Sequence, residues 1–162
     1  MAELLLLRHG IAEERSPERP DAGRALTAAG RARTEAVMAQ LVRLELGCTA
    51  LFSSPLRRAL QTAELACAAG LAPALRRAEG LAPGGDPWPL LGGLTAGQRL
   101  ALVGHEPDLG LLAAALIGAE PGTVVLKKAG VALLELEPGP GARRPRGRLR
   151  LLMGPRQLLG GS

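Results

Sequence analysis

Short apolar runs of strand length alternate with longer segments of helical character over the first two thirds of this chain. The runs cover residues 3–7, 50–52 and 98–103, and each is mostly apolar. Strands without a polar alternation are typical of parallel sheets, because helices cover both faces of such sheets. The pattern therefore predicts an α/β fold, a three-layer α/β/α sandwich with a mostly parallel sheet.

Three further apolar runs follow closely on one another towards the end of the chain. They cover residues 123–126, 131–136 and 148–152, and we expect each of them to form a strand. Short links suit neighbouring antiparallel strands, whereas parallel strands need a long crossover connection. We therefore expect antiparallel pairing at one end of the sheet.

The first helical segment has recognisable ends. Thr27 is a suitable N-cap for a long helix that ends before Gly47. Helical spacing puts Val37, Leu41 and Leu44 on the inner face of this helix.

Two shorter helices and two loops complete the predicted elements. One helix follows Pro55 and runs to about residue 69, and the other begins near Pro107 and ends at Gly118. Polar or Pro/Gly-rich loops are expected over the strand ends, at residues 13–24 and 80–93.

Composition is that of a globular protein and excludes several classes of function. The 162 residues fit one domain, 1–162, and 47% of them are hydrophobic. No apolar run reaches the length of a membrane span or of a signal-peptide core. Cys48 and Cys67 lack the spacing of a zinc or redox motif. We therefore expect reduced thiols, a cytoplasmic location and no membrane partner.

The net charge of +5 is carried mostly by arginine. It fits either an acidic partner or an anionic substrate, but for most of these arginines a solvated surface is the simpler interpretation. Phe52 and Trp88 are the only aromatic residues, which leaves no platform for stacked bases. Nucleic acid is therefore not an expected partner.

Both histidines of the chain stand directly after predicted strands. His9 follows Arg8 at the end of the first run, and His105 follows the run 98–103 and Gly104. The carboxyl ends of parallel strands meet at one edge of a sheet, where ligands of α/β proteins bind. We therefore expect the two imidazoles to be used together.

The segment between them adds two arginines at the start of a predicted helix. Arg57 and Arg58 fall in the first helical turn, where backbone N–H groups and the positive end of the helix already favour an anion. One guanidinium group can donate two parallel hydrogen bonds to the oxygens of a phosphate. Two histidines and two arginines at one edge predict a phosphate site.

The two histidines allow two other interpretations. A zinc or iron site made from His9, His105 and a carboxylate is disfavoured, because arginine neighbours repel a dication and no HxxxH spacing is present. The second interpretation takes both residues as satisfied core histidines. It is less favoured because each histidine lies in a glycine-flanked turn.

Three motifs carry a resemblance to a known family. Arg8-His9-Gly10 resembles the signature of the histidine phosphatase superfamily, which has the phosphoglycerate-mutase-like fold. The stretch SPLRRALQT at residues 54–62 resembles its second block, and GHEP at residues 104–107 resembles its third. Residues 24–30, 127–130 and 151–159 are also similar to the small phosphohistidine phosphatases of the SixA type.

The resemblance implies a function and a role for each residue. His9 would be the nucleophile that forms a phosphohistidine, while Arg8, Arg58 and His105 would hold the phosphoryl oxygens. Arg57 has no match in the family block. No metal and no cofactor are implied. The expected substrate is phosphohistidine in a protein, the alternatives being a small phosphorylated metabolite or a module that binds phosphate without catalysis.

The resemblance also implies a proton donor for the leaving group. Larger members of the family use a carboxylate on a loop in the middle of the chain, and Glu79 lies at the comparable place with Asp86 behind it. Both residues are equally well explained as solvated loop charges. A phosphohistidine substrate needs less help, because its leaving nitrogen can be protonated beforehand.

Ile11 and Ala12 replace polar residues of the mutases, which argues against mutase activity.

Overall fold

The computed structural model describes residues 1–137 and 144–160, and its centre is a sheet of six strands. The strands are β1 (Ala2–Arg8), β2 (Ala50–Ser53), β3 (Leu75–Arg77), β4 (Arg99–Gly104), β5 (Val131–Glu137) and β6 (Arg146–Met153). Their order across the sheet is β3-β2-β4-β1-β5-β6. The first four are mutually parallel, and β5 runs antiparallel to both β1 and β6. A mostly parallel sheet with an antiparallel end is thereby confirmed.

Helices cover both faces of this sheet. They are α1 (Ala28–Arg43), α2 (Arg57–Ala68), α3 (Asp108–Ile117) and the short α4 (Pro155–Leu158). In β1, Leu5 and Leu7 belong to the core under α1, α2 and α4, while Leu4 and Leu6 belong to the core under α3. Because both faces of β1 are buried, its sequence is apolar at successive positions.

The helix ends agree with the signals in the sequence. The Thr27 hydroxyl accepts a hydrogen bond from the backbone N–H of Gly30 at 2.9 Å, which caps α1. Gly118 ends α3 in the left-handed conformation at φ 71°, where glycine carries no steric penalty. Val37 and Leu41 are fully buried on the inner face of α1. Leu44 was wrongly assigned to that face: it follows the last turn of α1 and is 45% exposed.

Two other local predictions were wrong. Residues 123–126 do not form a strand, although Val124 and Leu126 are buried in the core under α3. Burial explains the apolar signal, but the backbone there pairs with no strand, and the Leu126 carbonyl accepts from the Arg8 side chain instead. The strand β3 was missed because it has only three residues, of which Arg76 and Arg77 are exposed.

The remaining expectations concern the membrane and the thiols. Among the described residues, no helix combines the length and the apolar character needed to cross a membrane. Cys48 and Cys67 are free thiols. Burial raises the pKa of Cys48 to about 12, so this thiol stays protonated and unreactive at neutral pH.

Candidate active site

Strands β1 and β4 bring the two histidines together at the carboxyl edge of the sheet. The two strands are neighbours, and their register sets Arg8 opposite Gly104, so that His9 and His105 come next on adjacent chains. The backbone N–H of His9 donates to the Gly104 carbonyl at 3.1 Å. The two imidazole centroids lie 5.1 Å apart, with the ring planes at 54°. The histidines therefore form one pair, as expected from their positions after two predicted parallel strands.

His9 is held as a neutral imidazole whose Nε2 carries the lone pair. Its Nδ1 lies 2.7 Å from the Gly10 carbonyl, which can only accept, so Nδ1 carries the proton and Nε2 carries the lone pair. Burial lowers the pKa of His9 to about 3, although the bond to Gly10 opposes this, and His105, Arg58 and Arg8 add to the lowering. At neutral pH the ring is therefore uncharged, with a lone pair on Nε2.

Arg58 faces His9 from the first turn of α2. It is buried, and its Nε donates to His9 Nε2 over a long 3.4 Å. One terminal nitrogen donates to the Asp21 carbonyl at 2.9 Å, and the other lies 3.3 Å from Asp21 Oδ2. The neighbouring Arg57 is exposed and reaches only the Gly23 carbonyl, at 3.5 Å. The structure therefore brings Arg58 into the site and leaves Arg57 outside it.

Thr62 ties α2 to the turn that carries His9. Its hydroxyl donates to the Arg58 carbonyl at 2.8 Å and accepts from the Gly10 backbone N–H at 3.1 Å. The same turn lies directly against α1, because a Cβ added at Gly10 would stand 2.1 Å from Thr34 Oγ1. The His9 turn is thus fixed on two sides by helices.

Arg8 approaches from the side opposite α2. One of its terminal nitrogens donates to the Leu126 carbonyl at 2.9 Å, which uses part of the guanidinium. Its Nε is buried and has no hydrogen-bond partner among the described residues. Buried donors are rarely left unpaired, so this nitrogen is a candidate ligand for an anion.

His105 is also neutral and partly unsatisfied. Its Nε2 lies 2.7 Å from the Ser54 hydroxyl, while its buried Nδ1 has no partner within the described part of the chain. Burial lowers the pKa of His105 to about 4; Arg58 contributes to the lowering, and Asp108 and Asp21 oppose it. The site thus combines one lone pair on His9 with unsatisfied nitrogens on Arg8 and His105 and with the guanidinium of Arg58.

This set of groups is suited to an oxyanion. Two guanidinium groups supply positive charge and planar donors, and His9 supplies a nucleophile within the same cluster. Over residues 1–137 and 144–160, no three His, Cys, Asp or Glu side chains are grouped as metal ligands. The arrangement is able to hold a phosphoryl group and to attack its phosphorus.

Glu79 and Asp86 both lie in the segment that follows β3. Glu79 begins a short 3-10 helix, Glu79–Leu81, and is exposed. The preceding residue, Ala78, donates its N–H to the Ser53 carbonyl at 2.9 Å, which places Glu79 near the end of β2. Asp86 is exposed and accepts from the Trp88 backbone N–H at 3.1 Å. Neither carboxylate has a described hydrogen bond or ion pair with His9 or His105.

Three residues of the site had been given no role from the sequence. Ser54 and Thr62 lie within the second motif, so their place beside Arg58 offered a usable signal. Asp21 lies in the polar loop 13–24, where nothing distinguishes it from the other charged residues. Its contact with Arg58 spans 37 positions of the chain and becomes visible only in the fold.

Comparisons with known proteins identify the family of the chain. The sequence model of the histidine phosphatase superfamily (branch 1) matches residues 4–82, which include His9 and Arg58. An uncharacterised protein of Picosynechococcus sp. is 42% identical over 135 residues, which are 80% of this chain and 82% of that protein. The chain belongs to the histidine phosphatase superfamily, and it is a phosphatase of that type.

Solved structures of similar fold include several phosphatases. The protein histidine phosphatase SixA complexed with tungstate superposes with a TM-score of 0.80 at 22% identity, over 96% of this chain and 99% of that one. A putative phosphohistidine phosphatase SixA from Agrobacterium tumefaciens gives 0.75 at 23% identity, over 93% and 96%. A mycobacterial glucosyl-3-phosphoglycerate phosphatase gives 0.69 at 21%, over 91% and 96%. At these identities the likeness concerns the fold.

Proposed function

We propose that this phosphatase acts without a metal, through a phosphohistidine formed on His9, and that its substrate is phosphohistidine in a protein. The observation that carries the proposal is the neutral His9, whose Nε2 lone pair faces Arg58 and lies beside His105. Neutral imidazole is the form that attacks phosphorus, and its neighbours are those that a transferring phosphoryl group requires.

The reaction has two displacement steps. In the first, His9 Nε2 forms a bond to phosphorus while the bond from phosphorus to the leaving nitrogen breaks, and that nitrogen departs carrying a proton. In the second, water attacks phosphorus and the bond to Nε2 breaks, which releases phosphate and neutral His9. Arg58, Arg8 and His105 hold the equatorial oxygens in both steps, where the charge of the transition state develops.

The carboxylates near the site favour a phosphoramidate substrate, because such a substrate needs little help from a proton donor. Asp21 is the carboxylate nearest to Arg58, and its pKa is lowered: burial opposes this, but Arg58 and Arg24 more than compensate. Asp21 is therefore ionised at neutral pH and is a poor proton donor. Glu79 stays our candidate for that role, although it has no described contact with the histidines. A nitrogen leaving group that is protonated in advance makes the smallest demand on such a donor.

The approach to the site supports a protein substrate. A partly open groove of about 390 Å³ is lined by Arg15, Ser16, Arg19 and Asp21, and Asp21 connects it to the site through its ion pair with Arg58. The Arg15 side chain in this groove is 82% exposed. The segment between β3 and β4 forms only short 3-10 helices, Glu79–Leu81 and Trp88–Leu91, in addition to loops. An open approach admits a phosphorylated side chain presented on another protein.

A substrate panel tests this assignment. Wild-type protein should release phosphate faster from a phosphohistidine-containing protein than from sugar, nucleotide or glycerate phosphates at equal concentration. The mycobacterial relative named above is a metabolite phosphatase, so a preference for small esters is the competing outcome. Binding of phosphate without turnover of any substrate would favour a non-catalytic module.

The nucleophile and the absence of a metal requirement are tested separately. Replacing His9 with Ala should abolish turnover and labelling of the protein by radioactive phosphate, whereas retained turnover would exclude the mechanism. EDTA should leave the activity of the wild type intact, because the charges around His9 already come from arginine. Vanadate should inhibit, since it adopts the five-coordinate geometry of phosphorus in the transition state.

We place the reaction in the cytoplasm, where the free thiols of Cys48 and Cys67 stay reduced.

A further inference from the structure

The contact between Ser54 and His105 has a consequence for where His105 carries its proton. Ser54 is fully buried at the end of β2, and its Oγ lies 2.7 Å from Nε2 of His105. The same oxygen accepts a hydrogen bond from the backbone N–H of Leu56 at 3.2 Å. Both groups of the pair are buried, so water does not compete for these bonds.

Only one proton arrangement satisfies the Ser54 hydroxyl, the backbone N–H of Leu56 and Nε2 of His105 together. A neutral imidazole has one N–H and one lone pair, and a hydroxyl has a single proton. If His105 donated from Nε2, the Ser54 proton would need another acceptor, and none lies within reach in the described residues. If Ser54 donates to Nε2, its oxygen stays free to accept from Leu56, so both contacts of the hydroxyl are hydrogen bonds and only Nδ1 of His105 lacks a partner among the described residues.

The second arrangement puts the His105 proton on Nδ1, the nitrogen that is buried without a protein partner. A donor at this position has an obvious use beside His9, whereas a lone pair there would repel a phosphoryl oxygen. Loss of such a fixed donor is costly in sites that stabilise developing oxyanions. The orientation of one hydroxyl therefore decides whether His105 attracts or repels the substrate.

We propose that Ser54 is a positioning residue that donates its hydroxyl proton to His105 Nε2 and so presents Nδ1–H to the phosphoryl oxygen. The use of that N–H rests on the proposed function, but the position of the proton does not. Burial supports the proposal further, because it keeps the ring neutral at pH 7, where only one nitrogen is protonated.

The position of the proton is directly measurable in the wild-type protein. The chain has only two histidines, so two-bond ¹H–¹⁵N correlation spectra of histidine-labelled protein at pH 7 contain two rings, and a His9→Gln variant assigns them. We expect His105 to be neutral and protonated on Nδ1. A wild-type spectrum with the proton of His105 on Nε2 would overturn the proposal, whatever the activity of the protein.

Variants of the two adjacent serines test the consequence for catalysis. Ser54→Ala should shift His105 towards the Nε2–H form and lower kcat/KM by about 10- to 100-fold, by analogy with residues that orient metal-bound histidines. Ser54→Thr retains the hydroxyl and should restore the Nδ1–H form and most of the activity. Ser53→Ala is the matched control, because Ser53 is equally buried but its hydroxyl donates to the Ser54 carbonyl. It should alter neither the tautomer nor kcat/KM.

The outcomes separate this proposal from the proposed function. If Ser54→Ala folds, keeps the Nδ1–H form and turns over as fast as Ser53→Ala, the positioning role is wrong. If the wild type has Nδ1–H at His105 but hydrolyses no phosphohistidine, the tautomer assignment holds and the proposed function fails. If the wild type is active with Nε2–H at His105, the positioning role alone fails.

Discussion

The carboxylate of Asp21 lies 3.3 Å from the guanidinium of Arg58, and the Asp21 carbonyl accepts a second bond from the same group at 2.9 Å. Asp21 thereby holds two of the three guanidinium nitrogens on the side away from His9. The third nitrogen, Nε, is turned towards His9 Nε2. Arginine has a long side chain with many rotamers, so these two contacts with Asp21 restrict the conformation of Arg58.

Loss of the Asp21 charge should therefore affect turnover more than binding. Asp21→Asn retains the backbone carbonyl bond but removes the ion pair, and we expect kcat to fall by roughly tenfold with a smaller change in KM, because a positioning contact acts mainly in the transition state. Glu18→Gln is the matched control on the same loop, since Glu18 is exposed and its carboxylate bonds to Ser16. Equal kcat values for the two variants would contradict a positioning role for Asp21.

The pair Arg57 and Arg58 provides a second test within a single dipeptide. Arg58→Ala removes a buried donor beside His9, our proposed nucleophile, and should lower kcat/KM by roughly 10²–10³-fold, as for other transition-state donors. Arg57→Ala removes an exposed arginine and should stay within a few-fold of wild type. Arg58→Lys should fall between the two, because an ammonium lacks the planar fork. A larger loss in Arg57→Ala than in Arg58→Ala would assign the phosphate contact to Arg57.

Much of the site was predictable because its parts follow local rules. His9 and His105 stand at the ends of apolar runs, and the parallel order of β1 and β4 brings such positions together. The first turn of α2 was visible from Pro55 and the apolar residues after it, so Arg58 could be placed at a helix start. These features depend on strand alternation and helix capping, which short stretches of sequence determine.

The rest of the site depends on contacts between distant segments. Asp21 meets Arg58 only because the loop 13–24 folds back over the start of α2, and no periodicity or motif determines that path. Residues 123–126 appeared to be a strand because Val124 and Leu126 are buried, yet burial alone does not distinguish a strand from a covered loop. The strand β3 was not predicted at all, because two of its three residues are arginines. An edge strand can carry such exposed polar residues, so it gives no apolar signal in the sequence.

The free energy of unfolding should decrease as the pH is lowered, because both imidazoles are buried in the neutral form. Burial is the largest cause of the low pKa values, about 3 for His9 and about 4 for His105, compared with 6.5 for an unperturbed histidine. Below pH 6.5 the unfolded chain binds protons that the folded chain excludes, so the free energy of unfolding decreases as pH falls, until the folded-state values are reached. The slope is about 1.4 kcal/mol per pH unit for each histidine.

Urea unfolding between pH 6.5 and 5 measures this effect, since carboxylates with ordinary pKa values contribute mostly at lower pH. Burial raises the pKa of Glu106, which opposes the loss of stability, so the histidine contribution is the difference between the wild type and a variant without histidines. The wild type should lose stability across this interval. A His9→Gln, His105→Gln double variant has no imidazole to protonate and should show a much smaller slope. A wild-type protein of constant stability over the same interval would show that the histidines are charged or exposed in the folded state.

The proton donor is tested by the dependence of activity on the leaving group. An alkyl phosphate such as phosphoserine has a basic oxygen leaving group that requires protonation, whereas a phosphohistidine does not. If Glu79 is the donor, Glu79→Gln should lower kcat/KM for phosphoserine by roughly 10²-fold and leave phosphohistidine turnover within a few-fold. Glu64→Gln, which removes an exposed carboxylate from α2, is the control and should change neither substrate. A loss confined to Asp86→Asn would move the role to Asp86, and equal activity of all three variants would mean that no carboxylate at 79 or 86 delivers the proton.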